Sequence, residues 1–450
     1  MHFTAKRIEM SDHPKVAGII CNYNRREDVL QCLGSAKNLN YRALDIFVVD
    51  NASTDGSAHA ISQAFPEIRV LDMHANKGSC GGFNEGMRYA LALKDYKYLF
   101  LIDNDIFLDP QALLRLVEVL ESDTSLGAAG SKIYHMDQPQ IIQEFGGSIL
   151  WGSPRQDSNL RHRRDRPAYQ KDIRADYLAS CSLLVKRKVC EEVGLMDEGY
   201  FLYFDDVDWC HRMVLSGFGL RAVASSRIWH KQGSNDRRTG LPLYYGFRNS
   251  IHFFNQYLSD KLWRRSTRVL LRYAKHISIT CSLYGKIGLE HALDKALDDV
   301  IAGRRGKAEG LDLSLPCASS LWSYESLPKR PIFVYSGRFQ ANLKSLVKRK
   351  LPQAEIHSYR PGEKVHNAVV LLPCAHVFNN NPYISLPGAM VYWADISSNL
   401  LPPGKEGLRI RAVYQRRMES FLQETLSGWQ ECLKKQRRVK LPGPRRNTTP

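Results

Sequence analysis

An α/β fold built around a parallel sheet is predicted for the amino-terminal half of this chain, on three observations. Short apolar runs recur at 16–21, 45–50, 68–73 and 98–102. Helical patterns separate them, and each run stops at a polar, loop-forming stretch. Strands alternating with helices at this spacing mark βαβ units around a parallel sheet. The last run, Tyr98-Leu99-Phe100-Leu101-Ile102, is apolar throughout, as a strand covered on both faces must be.

In chain order, VAGIIC opens into Asn22-Tyr23-Asn24-Arg25-Arg26 and a helical pattern over 27–35. DIFVVD breaks at Asn51-Ala52-Ser53-Thr54-Asp55-Gly56-Ser57, ahead of a helix through Phe65. The third strand leads into NKGSCGGFNEG at 76–86, which opens another helix. The fourth ends abruptly in Asp103-Asn104-Asp105. Open α/β sheets bind ligands beyond the carboxyl ends of their strands, and Mg²⁺ is usually held by one or two carboxylates plus substrate phosphates. Asp-x-Asp at this place therefore points to a metal-diphosphate site. The competing reading is a solvated turn, since Asp and Asn are common turn residues. Beyond it, Asp109 is placed to cap a helix with Pro110 at its first position, and Leu113, Val117 and Leu120 recur on one face.

The other loops at this edge carry groups that a ligand can use. Asp50, ending its strand, is placed to accept hydrogen bonds from a base or ribose; capping Ser53 or Thr54 in a turn is the alternative. The glycines at 78, 81, 82 and 86 permit close backbone approach to a phosphate or sugar. Neither GxxxxGK[ST] nor GxGxxG is present.

The 450 residues, 44% hydrophobic, suggest two or three globular domains. A net charge of +17 implies an anionic partner, whether nucleic acid, a membrane surface or a phosphate-bearing substrate. The ten cysteines form no CxxC pair, and several sit inside apolar runs, which fits reduced buried thiols. The first residues lack the apolar core of a signal peptide, and no apolar stretch is long enough to span a membrane. A cytoplasmic protein is the expectation.

VVDNASTDGS, NKGSCGGFNEG and LFLIDNDIFLDP, in this order and spacing, resemble the family-2 glycosyltransferases, in particular the rhamnosyl- and galactofuranosyltransferase branch. The likeness continues through DYLASCSLLVKRKVCEEV, GLMDEGYFLYFDDVDWCHR, Ile228-Trp229-His230 and YYGFRN, covering about residues 14–310. Asn22 stands where a threonine is usual, Asp205 where a glutamate is usual, and Ala179-Ser180 where glycine and a small residue are expected. The resemblance implies a GT-A type fold for nucleotide-diphospho-sugar transfer, with a Rossmann-like mixed sheet. It also implies donor contacts from Asn24, Arg25, Asp50, Asn76, Gly78, Gly82, Asn84, Asp103, Asn104 and Arg248.

The chemistry agrees. A sugar carried on a nucleoside diphosphate leaves behind a diphosphate whose charge a divalent cation on Asp103 and Asp105, Mg²⁺ or Mn²⁺, would offset. The acceptor hydroxyl needs a carboxylate to take its proton. Phe204-Asp205-Asp206-Val207-Asp208 supplies three, of which the resemblance singles out Asp206 as the base, with Asp205 and Asp208 tuning it or orienting the acceptor. An acidic helix start is the alternative. His230 is a candidate third metal ligand. Trp151 and Trp209 are candidate acceptor contacts, core packing being the default for Trp209. Arg248 is suited either to diphosphate oxygens or to a structural ion pair.

The polar stretch 146–175 reads as a mobile acceptor-side loop. Residues 257–313 read as a helical extension with basic and apolar residues interleaved, a pattern that suits an anionic membrane surface. Residues 314–330 read as a linker, and 331–450 as a smaller α/β unit ending in an apolar-faced helix and a basic tail, leaving 1–256 as the transferase domain. The expected function is metal-dependent, inverting transfer of rhamnose, galactofuranose or another hexose to a surface glycan or lipid-linked oligosaccharide. A nucleotidyltransferase or a sugar-binding scaffold are the alternatives. A nucleic-acid partner is not expected, since no zinc-finger spacing or ribonucleoprotein pattern occurs.

Overall fold

The computed structural model describes residues 13–93, 95–231, 240–315, 327, 330–335, 340–359, 368–374, 389–395, 400–401 and 404–437. The chain begins β1 (Val16–Asn22), α1 (Arg26–Lys37), β2 (Leu44–Asp50), α2 (Ser57–Ala64), β3 (Arg69–Asp72), α3 (Gly78–Ala92) and β4 (Tyr98–Asp103). β1 lies parallel between β2 and β4, and β3 lies parallel beyond β2. Alternate side chains of β4 enter opposite cores. Leu99 and Leu101 meet Phe83 and Met87 of α3, while Tyr98, Phe100 and Ile102 share a cluster with Val29 and Leu33 of α1. All five apolar side chains of β4 are fully buried. Each such burial stabilises by about 1.5–3 kcal/mol, so a strand covered on both sides is written as a continuous apolar run.

The register lines up the strand ends: Cys21 faces Asp103, Asn22 faces Asp50, and Asp50 faces Asp72. A two-residue turn reverses the chain into β5 (Ile106–Leu108), followed by α4 (Ala112–Ser122), β6 (Leu126–His135) and β7 (Ile142–Glu144). Next come β8 (Gly147–Leu150), β9 (Arg155–Ser158), β10 (Ile173–Arg174), β11 (Ser182–Lys186), α5 (Arg187–Val193), α6 (Asp205–Leu215) and β12 (Gly219–His230). β11 inserts antiparallel between β4 and β6, and β12 runs parallel to β6. The order is β10-β12-β6-β11-β4-β1-β2-β3, with β5 on β12 and β7 on β6. The sheet is therefore mixed, of the GT-A type that the resemblance implies.

The stretch 146–175 is not the featureless loop expected. It holds the β8–β9 hairpin and is tied down by Lys132, which donates to Tyr169 O at 2.7 Å and pairs with Asp165 at 3.3 Å. The Tyr134 hydroxyl donates to the same Asp165 at 2.6 Å.

α7 (Leu241–Tyr257), α8 (Asp260–Leu283) and α9 (Ile287–Ile301) form a helical layer. A second sheet uses β13 (Ile332–Tyr335), α10 (Gln340–Lys350), β14 (Ile356–Tyr359), β15 (Ala368–Cys374), β16 (Ala389–Asp395) and β17 (Leu400–Leu401). Its order is β14-β13-β15-β16-β17, parallel except at β17. α11 (Gly404–Ser420), a π turn at Phe421–Thr425 and α12 (Leu426–Gln436) follow. Sequence order groups these last helices with the second sheet, but they pack elsewhere. Met418, Phe421, Leu426 and Leu433 join the large core, and Asn255 Nδ2 donates to Leu433 O at 3.0 Å. An apolar helical face does not name its partner, so adjacency misleads. Most of the linker, and the basic tail beyond residue 437, lie outside the described residues.

Candidate active site

Asp103 closes β4, Asn104 and Asp105 make the turn, and β5 then pairs antiparallel with the end of β12, setting Ile106 opposite His230. That pairing brings residues more than a hundred positions apart together. His230 Nε2 lies 3.1 Å from Asp105 Oδ1 and 3.9 Å from Asp103 Oδ2. Asp103, Asp105 and His230 each offer one ligand atom, all within 4.8 Å of one another. Asn104 Nδ2 donates to Asn22 Oδ1 at 2.8 Å, bracing the turn against β1.

Burial pushes the Asp103 carboxyl up to about 7, against the pull of His230 and helped by the charges of Asp105 and Asp206. Burial also works against ionised Asp105, but the hydrogen bond and charge of His230, with Arg25, hold it below the usual carboxylate range. On His230, burial disfavours the charged ring, yet the Asp105 hydrogen bond and the two aspartate charges win and raise it. A third of the Asp103 side chain still meets solvent, so the cluster is open to a ligand. Two carboxylate oxygens, one imidazole nitrogen and unrelieved negative charge fit a divalent cation; the imidazole suits Mn²⁺ better than Mg²⁺.

Asp205 and Asp206 occupy the first turn of α6. Phe201, Tyr203 and Phe204, in the loop before it, all have positive φ, of 64°, 64° and 67°. Asn249 of α7 holds that loop by donating to Tyr200 O, Leu202 O and Tyr203 O at 2.8–2.9 Å. Asp205 is buried, accepts from Ser79 Oγ at 3.3 Å, and is pushed up to about 7 by burial and by Asp206. Asp206 accepts backbone N–H groups from Val207 at 2.8 Å and from Ser180 at 3.3 Å, and burial raises it too. Ser180 is in place because β11 docks beside β4.

Two neighbours carried no local sequence signal. Glu144 accepts from Ser158 Oγ at 2.9 Å and rises to about 7 through burial and the Asp206 charge. Gln143 Nε2 lies 2.9 Å from His230 Nδ1. Only the pairing of β7 with β6 brings this dipeptide to the site.

Beyond the ends of β1, β2 and β3 the edge loops are cross-tied. Asp50 accepts from Ser53 N at 3.0 Å and Asn22 Nδ2 at 3.3 Å, the turn-capping role weighed above. Asn24 Oδ1 accepts from Thr54 N at 2.7 Å, and Asn76 Oδ1 from Gly78 N at 2.8 Å. Asn51, not singled out by sequence, donates to Gly78 O at 2.8 Å and accepts from Lys77 N at 2.9 Å. Arg25 pairs with Asp28 at 3.6 Å.

Several expected site residues have other work. Gly78 has φ 73°, and a Cβ there would lie 2.0 Å from Phe201 O; at Gly82 it would lie 2.2 Å from Cys21 Sγ. These glycines let α3 pack, which accounts for them without a phosphate. Asn84 is buried and bridges to Met196 O at 2.9 Å and Glu198 at 3.1 Å. Arg248 is buried, spending its donors on Gly306 O, Tyr200 O, Tyr244 and Asn249. Among the described residues it forms no ion pair, and these contacts account for it without a diphosphate. Trp209 is fully buried with its indole N–H on Gly194 O at 2.8 Å, so it is core. Asp208 is buried against Arg212 at 2.8 Å and Tyr257 at 2.8 Å, which removes it from the acceptor. Trp151 stacks on Phe253 at 5.9 Å between ring centroids, against α7 rather than on a free loop.

Residues 19–194 match the family described as Glycosyl transferase family 2. A low-salt glycan biosynthesis hexosyltransferase, Agl10, of Haloferax volcanii is 22% identical over 255 residues, 55% of this chain and 77% of its own. An N-acetylglucosaminyl-diphospho-decaprenol L-rhamnosyltransferase of Mycobacterium tuberculosis is 24% identical over 274 residues, 56% of this chain and 88% of its own. The galactofuranosyltransferase GlfT2 of the same species is 23% identical over 269 residues, 54% of this chain and 40% of its own. The match to glycosyl transferase family 2 thus covers the part of the chain that carries Asp103 and Asp105, on a mixed sheet whose edge brings His230 to them.

Proposed function

We propose that this glycosyltransferase moves a hexose, of the rhamnose or galactofuranose kind, from a nucleoside diphosphate to a hydroxyl of a glycan or lipid-linked oligosaccharide, with inversion at the anomeric carbon. The observation that carries the reading is the convergence of Asp103, Asp105, Asp205 and Asp206, each acting electrostatically on another, at the carboxyl edge of the sheet. Asp103, Asp105 and His230 are the residues that would hold a divalent cation. When bound, such a cation supplies the positive charge that offsets the departing diphosphate. Asp50 and the braced Asn24 and Asn76 loops border the donor nucleoside.

Asp206 takes the proton of the acceptor hydroxyl. The freed oxygen attacks the anomeric carbon as the bond to the diphosphate oxygen breaks, and one displacement inverts the configuration. A carboxylate raised by burial is a better base near neutrality than one at its ordinary value. Relatives named for lipid-linked substrates support an acceptor at a membrane. So does the exposed face of α8, where Arg264, Arg265, Arg268 and Arg272 flank Val269 and Tyr273. Among the described residues no helix is long and apolar enough to cross a membrane. Peripheral contact at the cytoplasmic face is therefore part of the proposal.

The test is slow hydrolysis of a panel of nucleotide sugars with Mg²⁺, Mn²⁺ or chelator, alongside calorimetric binding. Turnover of one donor that falls by about 10²–10³-fold or more in Asp103→Asn supports the reading. Failure of every nucleotide sugar and nucleoside diphosphate to bind with metal present would sink it.

A further inference from the structure

We infer that Gln143 is the positioning residue for the His230 ring, deciding which imidazole nitrogen is offered beside Asp103 and Asp105; the inference rests on the metal reading above. β7 reaches this place through an irregularity. Ile133 faces Glu144 and Tyr134 faces Ile142, so three residues of β7 stand against two of β6, and Gln143 is the extra one. A bulge of this kind re-aims a side chain, and bulges collect beside active sites. Here it sends the carboxamide, 7% exposed, to 2.9 Å from His230 Nδ1. The ring is thus gripped at both nitrogens, since Nε2 lies 3.1 Å from Asp105 Oδ1.

The carboxamide can answer the ring in two ways, because it carries both a donor and an acceptor. With its N–H toward Nδ1, the ring proton sits on Nε2 and is donated to Asp105. For Nε2 to become a ligand, that proton must leave and one must be held at Nδ1. Half a turn of the amide then presents Oε1 to the Nδ1 hydrogen. The Nε2 proton passes to solvent at the open side of the cluster and Nδ1 takes one from solvent, so the ring stays neutral. Gln143 Oε1 is buried and has no hydrogen-bond partner among the described residues. The second arrangement gives that orphaned acceptor its use. Histidines that ligate metals commonly donate their other N–H to such an acceptor, and losing it weakens metal binding.

The experiment is Mn²⁺ binding to the full chain, followed by the electron paramagnetic resonance signal of free Mn²⁺, alone and with UDP, GDP or dTDP. Gln143→Leu, which keeps the bulk and removes both hydrogen-bonding atoms, is expected to weaken binding about 10–100-fold, and Gln143→Glu, which keeps an acceptor, to hold it within about threefold. In a His230→Asn background, Gln143→Leu should weaken binding no further. Should Gln143→Leu melt early, Gln143→Asn, one methylene too short to reach the ring, carries the same expectation. Unchanged affinity in folded Gln143→Leu and Gln143→Asn, or an equal further loss without His230, overturns the inference while leaving the metal site standing. A wild type that takes up no Mn²⁺ under any of these conditions overturns both.

Discussion

Asp206 and Asp208 stand two residues apart on α6 and are answered differently. Asp208 meets the Arg212 guanidinium at 2.8 Å and the hydroxyls of Tyr257 and Tyr200 at 2.8 and 3.2 Å. Arg212 is itself spent on Val193 O and Leu195 O, so the charge is matched within a closed network. The hydrogen bonds to Asp206 come from two backbone N–H groups, and its charge raises Asp103, Asp205 and Glu144. About half a helical turn thus separates a charge that holds the fold from one the fold must tolerate. Unbalanced buried charge that strains its neighbours is the better sign of a working site.

The contrast breaks first at Asp208. Replacing it with alanine leaves the partly exposed Arg212 without its carboxylate and the buried Tyr200 and Tyr257 hydroxyls without their acceptor, which should cost about 2–3 kcal/mol in denaturant unfolding while leaving Mn²⁺ affinity unchanged. Asp205→Asn should do the reverse, raising stability by about 1–2 kcal/mol in metal-free protein because it removes a charge that burial and Asp206 disfavour. A lowered melting temperature there would erase the distinction.

A pH series sharpens the same contrast. Asp205 and Glu144 move from 3.8 and 4.5 up to about 7 on folding, through burial and then the Asp206 charge. The folded state therefore binds more protons than the unfolded chain in that interval. The stability these groups contribute is complete below their ordinary values and is lost as pH rises through about 7. The metal-free stability should fall between about pH 4 and about pH 7, by up to about 1.4 kcal/mol per pH unit for each group, with the melting temperature following it, and the fall should be shallower in Asp205→Asn. The smallest effect belongs to Lys37 and Glu67, whose ion pair is half exposed on both sides. Glu67→Gln should leave the denaturant midpoint where it is, since an exposed pair in water contributes little.

What the sequence made legible follows from how locally each feature is encoded. The strands at 16–22, 44–50 and 98–103 were found to within a residue or two because burial on both faces demands an uninterrupted apolar run. Asp103 and Asp105 could be placed because they end such a run, and His230 followed from the resemblance. The β8–β9 hairpin was missed because β9, Arg-Gln-Asp-Ser, is polar and largely exposed, with no period to read. Gln143 and Glu144 acquire meaning only through pairing with β6. Asn84, Arg248 and Trp209 were misassigned for a related reason. The partners of Asn84 at Met196 and Glu198 are 112 and 114 residues away, and those of Arg248 reach 58. A polar residue near a presumed site looks the same in sequence whether it faces a ligand or a distant carbonyl.

Asn249 gathers three carbonyls of the loop before Asp205, and it belongs to α7, which ends at Tyr257. As the chain leaves the ribosome, the sheet through β12 can form before that amide emerges. Its left-handed loop residues, in a region costly for bulky side chains, then lack the three Asn249 bonds to their loop's carbonyls. On the proposed reading, the nascent chain would have Asp103, Asp105 and His230 gathered before Asp206 is fixed, and would first become able to transfer a sugar once α7 has docked.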